Sequence, residues 1–369
     1  MTRRKRRPAS NMAEVARRAG VSLSTVSRAL SGSPLISEET RNLVRKAAER
    51  LDYQVDAAGS SLRTGLTRTI GVVIPLSHAA DQSFSDPFFL EILGALADEL
   101  SACGYSMLLN KVTEDPAIWM DSIARGRRAD GVIVVGQSLH HESLNRMADT
   151  GLPMVVWGGR LAGQRYVTVG SDNEAGGHDA TAHLLSQGCR CIAFLGDVAA
   201  PEVTARREGY LRALRAAGIA RTPQLEIAVR FGSDTAYHAV AALLDAGTRF
   251  DGVVACSDVF AINAMRALAE RDCKVPTDVA IVGFDDIPFA AFTTPPLTTI
   301  RQNCRVGARL LVDNLLRMLR GEVGVTEVIA TELVVRASSL RAHYRALPSI
   351  RGPRRSESAT ARGKKSRTG

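Results

Sequence analysis

No apolar stretch of the chain approaches the roughly 18 residues that a membrane-crossing helix needs, so the sequence predicts no span. The N-terminus is basic, with Arg3, Arg4, Lys5, Arg6 and Arg7, but no apolar h-region follows. A secretory signal is therefore not expected, and the sequence points to a cytoplasmic protein. Cysteine is scarce and scattered. Cys103, Cys189, Cys191, Cys256, Cys273 and Cys304 suit reduced core thiols better than a disulfide framework. The close pair Cys189 and Cys191 lacks partners at zinc-site spacing, and His140-His141 has no metal-ligand spacing. There is no G-x-S-x-G, no phosphate-loop lysine and no G-x-G-x-x-G. Asp285 and Asp286 are sequence neighbours and need not flank one bond, as the acid pair of a glycosidase must. The sequence thus predicts no metal, no cofactor and no catalytic residue, and the chain is not read as an enzyme.

What is present is a strong asymmetry of charge. The formal net charge is +9 over 369 residues. Residues 1–7 carry +5, residues 8–68 carry +3 and residues 347–369 carry +6, which leaves −5 for residues 69–346. A basic head on a mildly acidic body is the layout of a nucleic-acid-binding module attached to a body that does not bind nucleic acid. The alternative for the two tails is a solubilising role. The length and the 45% hydrophobic content allow two or three domains with sizeable cores.

Residues 12–31, MAEVARRAGVSLSTVSRALS, organise the head. At period 3.6, Val15, Ala16, Ala19, Val26 and Leu30 share one apolar side. Asn11 is placed to cap a first helix, with Glu14 three residues on in the manner of a capping box. Gly20 and Val21 interrupt the pattern, and Ser22 is a good cap for a second helix. Helix, short turn with glycine, second helix is the spacing of a DNA-reading helix-turn-helix. Leu23, Ser24, Thr25, Ser27 and Arg28 would face outward; short hydroxyls allow close approach to DNA and Arg adds paired donors. The alternative is a plain three-helix bundle with a solvated polar face. A third helix begins at Ser37 and runs to about Leu51, with Leu43, Val44, Ala47, Ala48 and Leu51 as its stripe and Arg41, Arg45, Lys46 and Arg50 exposed. Ser37 is also a candidate phosphate contact.

From Thr69 onward, apolar strand-like runs alternate with amphipathic helices. The runs are TIGVVIP (69–75), YSMLLNKV (105–112), GVIVVG (131–136), MVVWG (154–158), YVTVGSD (166–172), CIAFLG (191–196), GVVACS (252–257) and VAIVGFDD (279–286). That alternation means parallel sheets covered on both faces, in two successive doubly wound lobes. Ligands in such folds sit beyond the carboxyl ends of the strands, and the cleft between lobes is the natural pocket.

The chain also resembles a known family. TVSRAL (25–30), SEETR (37–41), LDY (51–53), SLRTG (61–65) and RTIGVVIP (68–75) are similar to the head of the LacI/GalR family of bacterial transcription regulators. Later marks are DPFF (86–89), RREGY (206–210) and PPLTTIRQ (295–302), so the likeness spans roughly residues 11–340. It implies an α/β protein with an N-terminal three-helix helix-turn-helix head and two doubly wound parallel lobes of periplasmic-binding-protein-like type. The implied organisation is a basic disordered arm (1–10), the head (11–55), a hinge helix and linker (56–68), a ligand-sensing and dimerisation body (69–345) and a basic disordered tail (346–369). Within the body, lobe 1 would take about 69–167 and 300–328, and lobe 2 about 168–299 and 329–345.

In the family the hinge folds on the operator and inserts a leucine into the minor groove; Leu62 matches that leucine. Here Val55-Asp56 stands where Pro-Asn is common, and Gly59 replaces an alanine, which weakens a helix by about 1 kcal/mol. By position Asp86, Arg206, Ser257, Asp258, Asp285 and Gln302 match the family's ligand pocket. Phe88, Trp157 and Asp172 are further strand-end or loop candidates. Acceptors with one Arg and an aromatic plane suit a polyhydroxylated ring; the alternative, that such Asp residues cap helices, applies to Asp172 and Asp258.

The resemblance implies a repressor acting as a homodimer on a pseudopalindromic operator, controlled by a small carbohydrate, a mono- or disaccharide, between the lobes. The tail lacks a tetramer-forming heptad repeat. A periplasmic sugar-binding protein is the alternative for the body, and the missing signal peptide and the DNA-reading head weigh against it. From the charge map, operator affinity should fall steeply with salt, because Lys and Arg release counterions from DNA. Removing residues 1–7 should flatten the plot of log K against log salt; an unchanged slope would show that the arm does not touch DNA.

Overall fold

The computed structural model describes residues 11–30, 33, 35–53, 66–75, 84–112, 128–137, 140–232 and 234–341. The expected arm (1–10), most of the expected hinge with Leu62, and the expected tail (346–369) lie outside the described residues.

Three short helices build the head: α1 (Met12–Ala19), α2 (Leu23–Leu30) and α3 (Glu38–Arg50). Each start is fixed by a side-chain oxygen that meets an otherwise orphaned backbone N–H. Asn11 Oδ1 accepts from Glu14 N at 3.0 Å, Ser22 Oγ from Thr25 N at 3.1 Å and Ser37 Oγ from Thr40 N at 3.3 Å. Gly20, at φ +65°, ends α1 in the left-handed region and lets the chain turn into α2. The core is narrow and mostly alanine: Val15, Ala16, Ala19, Val26, Ala29, Val44, Ala47 and Ala48.

Two expectations for α3 are corrected. Leu43 lies off the buried stripe of Val44, Ala47 and Ala48 and is 51% exposed. Arg41 is half-buried, and its Nη2 donates to the carbonyls of Ser33 (3.3 Å) and Ile36 (3.1 Å), tying the α2–α3 connection to the helix.

The body follows as β1 (Thr69–Pro75), α4 (Pro87–Ala102), β2 (Ser106–Val112), β3 (Gly131–Val135), α5 (His141–Ala148), β4 (Met154–Trp157) and β5 (Val167–Ser171). Next come α6 (Asn173–Ser186), β6 (Ile192–Gly196), α7 (Pro201–Ala216), β7 (Glu226–Ala228), α8 (Thr235–Asp245), β8 (Gly252–Ala255), α9 (Asp258–Ala269) and β9 (Ala280–Asp285). The last elements are β10 (Thr298–Arg301), α10 (Cys304–Leu319), β11 (Glu327–Ile329) and β12 (Glu332–Val334). The chain forms two compact units, Met1–His78 with Ile92–Gly170 and Cys304–Glu327, and Ala79–Glu91 with Ser171–Asn303 and Val328–Gly369. Among the described residues no helix is long and apolar enough to cross a membrane.

One six-stranded sheet has the order β11-β5-β4-β3-β1-β2, the other β12-β10-β9-β8-β6-β7. The pairs from β1 to β5 and from β6 to β10 run parallel, and β12 pairs antiparallel with β10. Both sheets therefore repeat one winding, with the first strand inside the second and the order reversing between the first and third. The central strands are buried end to end, as strands covered on both faces must be, which is why they read as unbroken apolar runs. The first unit's sheet core holds Val73, Val132, Val134, Met154 and Val156, and the second's Phe194, Val254, Ile281, Phe284 and Ile300.

Helices α6 and α7 touch almost backbone to backbone. A Cβ on Gly177 would strike the Arg206 carbonyl, and one on Gly209 the Glu174 carbonyl. Gly94, exposed within α4, has no atom within 4 Å of a built Cβ. Gly177→Ala should therefore cost about 1–3 kcal/mol by overpacking. Gly94→Ala should gain up to about 1 kcal/mol of helix propensity. Urea denaturation checks both signs; equal effects would contradict the close crossing.

Candidate functional site

In the head, α2 presents a polar surface. Leu23, at 52% exposure, Ser24 and Arg28 lie on the solvent side of α2, while Thr25 and Ser27 are half-buried beside them. Ser22 Oγ lies 2.8 Å from both Ser24 Oγ and Thr25 Oγ1, so the hydroxyls at the start of α2 form a linked set. Ser37 is exposed and occupied as the cap of α3, with Thr40 Oγ1 at 2.9 Å. Helix starts with exposed hydroxyls and N–H groups are suited to phosphate oxygens.

In the second unit the polar candidates gather at the carboxyl ends of β8, β9 and β10. Arg206, on α7, is buried. Its Nε donates to Asn173 Oδ1 at 2.8 Å, its Nη1 donates to the Cys256 carbonyl, and its guanidinium carbon stands 3.7 Å from the centre of the Phe284 ring. Nη2 has no hydrogen-bond partner among the described residues. Gln302 Nε2 donates to Asp285 Oδ1 at 2.7 Å. Ser257 caps α9, its hydroxyl accepting from Phe260 N at 3.3 Å.

Asp285 and Asp286 divide two roles. Asp285 is buried beside Gln302 and within charge range of Arg206 and Asp86. Asp286 is tied by Arg301 Nε and Arg336 Nη2, each at 2.7 Å, and so anchors the β10 and β12 side of the sheet. Both sit at positive φ, +121° and +60°, where β9 ends.

Other candidates are accounted for by the fold. Asp172 is a cap, accepting from Ala175 N at 2.9 Å. Asp258 is the first residue of α9, and the cap is Ser257, a correction to the capping expected of Asp258. Both Asp258 oxygens are engaged, by Thr299 Oγ1 and by Ile287 N at 2.9 Å. Asp86 caps α4 ahead of Pro87, its Oδ1 accepting from Phe88 N at 3.0 Å. Phe88 is half-buried, its ring centre 5.7 Å from that of Phe89. Trp157 is 4% exposed, and its ring fills the space a side chain on Gly307 would take, so it serves the first unit's packing rather than a stacking surface. Sequence places Asn173 with Asp172 at a strand end without giving it a partner, and Phe284 and the Cys256 carbonyl were missed; all three are partners of Arg206. The available signal was Asn173 beside a capping aspartate; a carbonyl carries none.

Burial dominates the electrostatics of these carboxyls. It pushes Asp285 up to about 7, opposed by the charge of Arg206 and reinforced by that of Asp86. Asp258 is raised well above the ordinary value, by burial and then by Asp285. Asp86 is raised by burial and lowered in part by the Phe88 N–H. In the unfolded chain Asp285 would ionise near 3.8. Between that value and about 7 the folded state keeps a proton that the unfolded chain has lost. Stability from this group is therefore complete below the unfolded value and is lost as pH rises through about 7. Asp285→Asn should flatten the fall in thermal midpoint between about pH 5 and about pH 7.5. A variant with the wild-type slope would remove Asp285 as its source.

Residues 11–56 match the family described as "Bacterial regulatory proteins, lacI family", and residues 181–339 match "Periplasmic binding protein-like domain". The chain is 34% identical over 348 residues to "HTH-type transcriptional regulator CelR" of Thermobifida fusca, covering 91% of this chain and 99% of that one. It is 32% identical over 306 residues to "HTH-type transcriptional repressor PurR" of Pasteurella multocida (strain Pm70), covering 80% and 88%. A solved "transcriptional regulator CelR-cellobiose complex" superposes with a TM-score of 0.66 at 30% identity, over 90% of this chain and 100% of that chain. These relatives are transcription regulators and not enzymes, and their likeness extends from the helix-turn-helix through both sheets. The chain belongs to the LacI family of bacterial regulatory proteins and is a DNA-binding transcription regulator.

Proposed function

We propose that the protein is a repressor whose operator affinity is set by a small carbohydrate bound at the polar strand ends of the second unit. The carrying observation is Arg206, held rigidly by Asn173, Cys256 and Phe284, with Nη2 uncommitted among the described residues. Within range of its charge lies the acceptor Asp285, which is bound by Gln302. A buried planar donor next to a carboxylate matches vicinal hydroxyls, which accept from one and donate to the other. The cellobiose held by the CelR structure supports a carbohydrate here.

In this reading residues 11–55 read the major groove through Leu23, Ser24, Thr25, Ser27 and Arg28, and Ser37 meets a phosphate. Residues 56–68 act as the hinge, with Leu62 in the minor groove. Residues 69–345 sense the effector and dimerise on a pseudopalindromic operator. The protein works in the cytoplasm, where its DNA lies.

A thermal-shift screen of mono- and disaccharides tests the effector class, because a ligand of the folded state adds RT ln(1 + [L]/Kd) of stability. A sugar that shifts the wild-type midpoint should fail to shift Arg206→Ala, while operator binding by that variant survives. Unchanged sugar affinity in calorimetry would remove Arg206 from the pocket.

A further inference from the structure

Each unit begins its first strand in a similar way, with the two clamps offset by one residue in register. Asp251 directly precedes β8, and its carboxylate accepts from Arg190 N (2.9 Å) and Cys191 N (2.8 Å), the two residues ahead of β6. Its own N–H donates to the Cys191 carbonyl at 2.8 Å. Asp130 directly precedes β3, and its carboxylate accepts from Thr67 N (2.6 Å), Thr67 Oγ1 (2.8 Å) and Arg68 N (2.9 Å), the two residues ahead of β1. Its own N–H donates to the Thr69 carbonyl at 2.8 Å. A glycine follows both aspartates, Gly131 and Gly252.

The two clamps differ in what they hold. Residues 190–191 join two elements of one unit. Residues 67–68 are where the body receives the chain from the segment read above as the hinge. The Asp130 clamp also holds Arg68 at φ +53°, in the left-handed region that non-glycine residues adopt uncommonly. Besides Asp130, the Arg68 carbonyl accepts from Ser106 N at 2.8 Å, and its guanidinium lies 5.5 Å from the centre of the Tyr105 ring. One carboxylate thus holds the two residues ahead of the strand, and the Arg68 carbonyl ties them to the flanking strand.

We propose that Asp130 is a positioning residue for operator recognition. It fixes the direction in which the chain leaves the body toward the hinge and so couples the body to the DNA-reading head. The proposal rests on the hinge reading of residues 56–68. A carboxylate holding three donors is difficult to replace, because the part-buried Thr67 N–H and hydroxyl, left unmet, carry a desolvation cost.

The test uses the full chain, with a duplex that the wild-type protein selects from a randomised pool and a scrambled duplex of equal length, at one salt concentration. Asp130→Ala and Asp130→Asn should each lose about tenfold or more in affinity for the selected duplex, with the scrambled duplex changed by less than about twofold. Asp251→Ala removes the sister clamp and should lower the thermal midpoint similarly while leaving the ratio of the two affinities within about twofold of wild type. Equal losses on both duplexes for the Asp130 variants, or a ratio indistinguishable from that of Asp251→Ala, would overturn the coupling role. Should Asp130→Ala not fold, the isosteric Asp130→Asn decides alone. A wild-type chain that selects no duplex would instead fail the operator reading, and the proposal with it.

Discussion

A guanidinium taken out of water has to be met by acceptors on every side it presents to protein, and Arg206 dictates the arrangement of the second unit on those terms. Nε and Nη1 are met by Asn173 and the Cys256 carbonyl, and one face by Phe284. Those partners come from α6, the end of β8 and β9, so three elements are pinned to one side chain. The pinning is possible because α6 and α7 cross at Gly177 and Gly209, where any Cβ would force the helices apart. Charge placed at strand ends in this way is preorganised: its desolvation is met by folding and not by a ligand arriving later.

The carboxylates around it show how one residue type serves opposite ends. Asp286 is held by two arginines and braces the sheet. Asp258 is saturated inside the protein by Thr299 and Ile287. Asp285 is buried with a raised pKa, close to Arg206 and bound by Gln302. Sequence places all three at strand ends, and only partners distinguish brace from ligand candidate.

That contrast explains what was legible beforehand. The long buried strands and their intervening helices were readable because burial on both faces leaves continuous apolar runs. The caps at Asn11, Ser22 and Ser37 were readable because capping is local chemistry within three residues. The edge strands β7, β11 and β12, of three residues each, have no such signature and were not distinguished. Arg41 was misjudged because its carbonyl partners, Ser33 and Ile36, lie outside its helix, and Leu43 because helical period does not mark where the buried stripe ends. Trp157 looked like a stacking surface at a strand end until Gly307 appeared beneath its ring. Asn173 and the Cys256 carbonyl depend on contacts far along the chain, which spacing does not encode.

The two sister clamps at Asp130 and Asp251 show the same winding used twice, once for stability and once where the DNA-reading part of the chain arrives. If effector and operator are sensed through one protein, their binding free energies must be linked, and the linkage is reciprocal. The direct measurement is calorimetric titration of the identified sugar into the protein alone and into its operator complex. Two different sugar affinities are expected, their ratio equal to the ratio of operator affinities with and without sugar. Identical sugar affinity in both titrations would contradict that linkage.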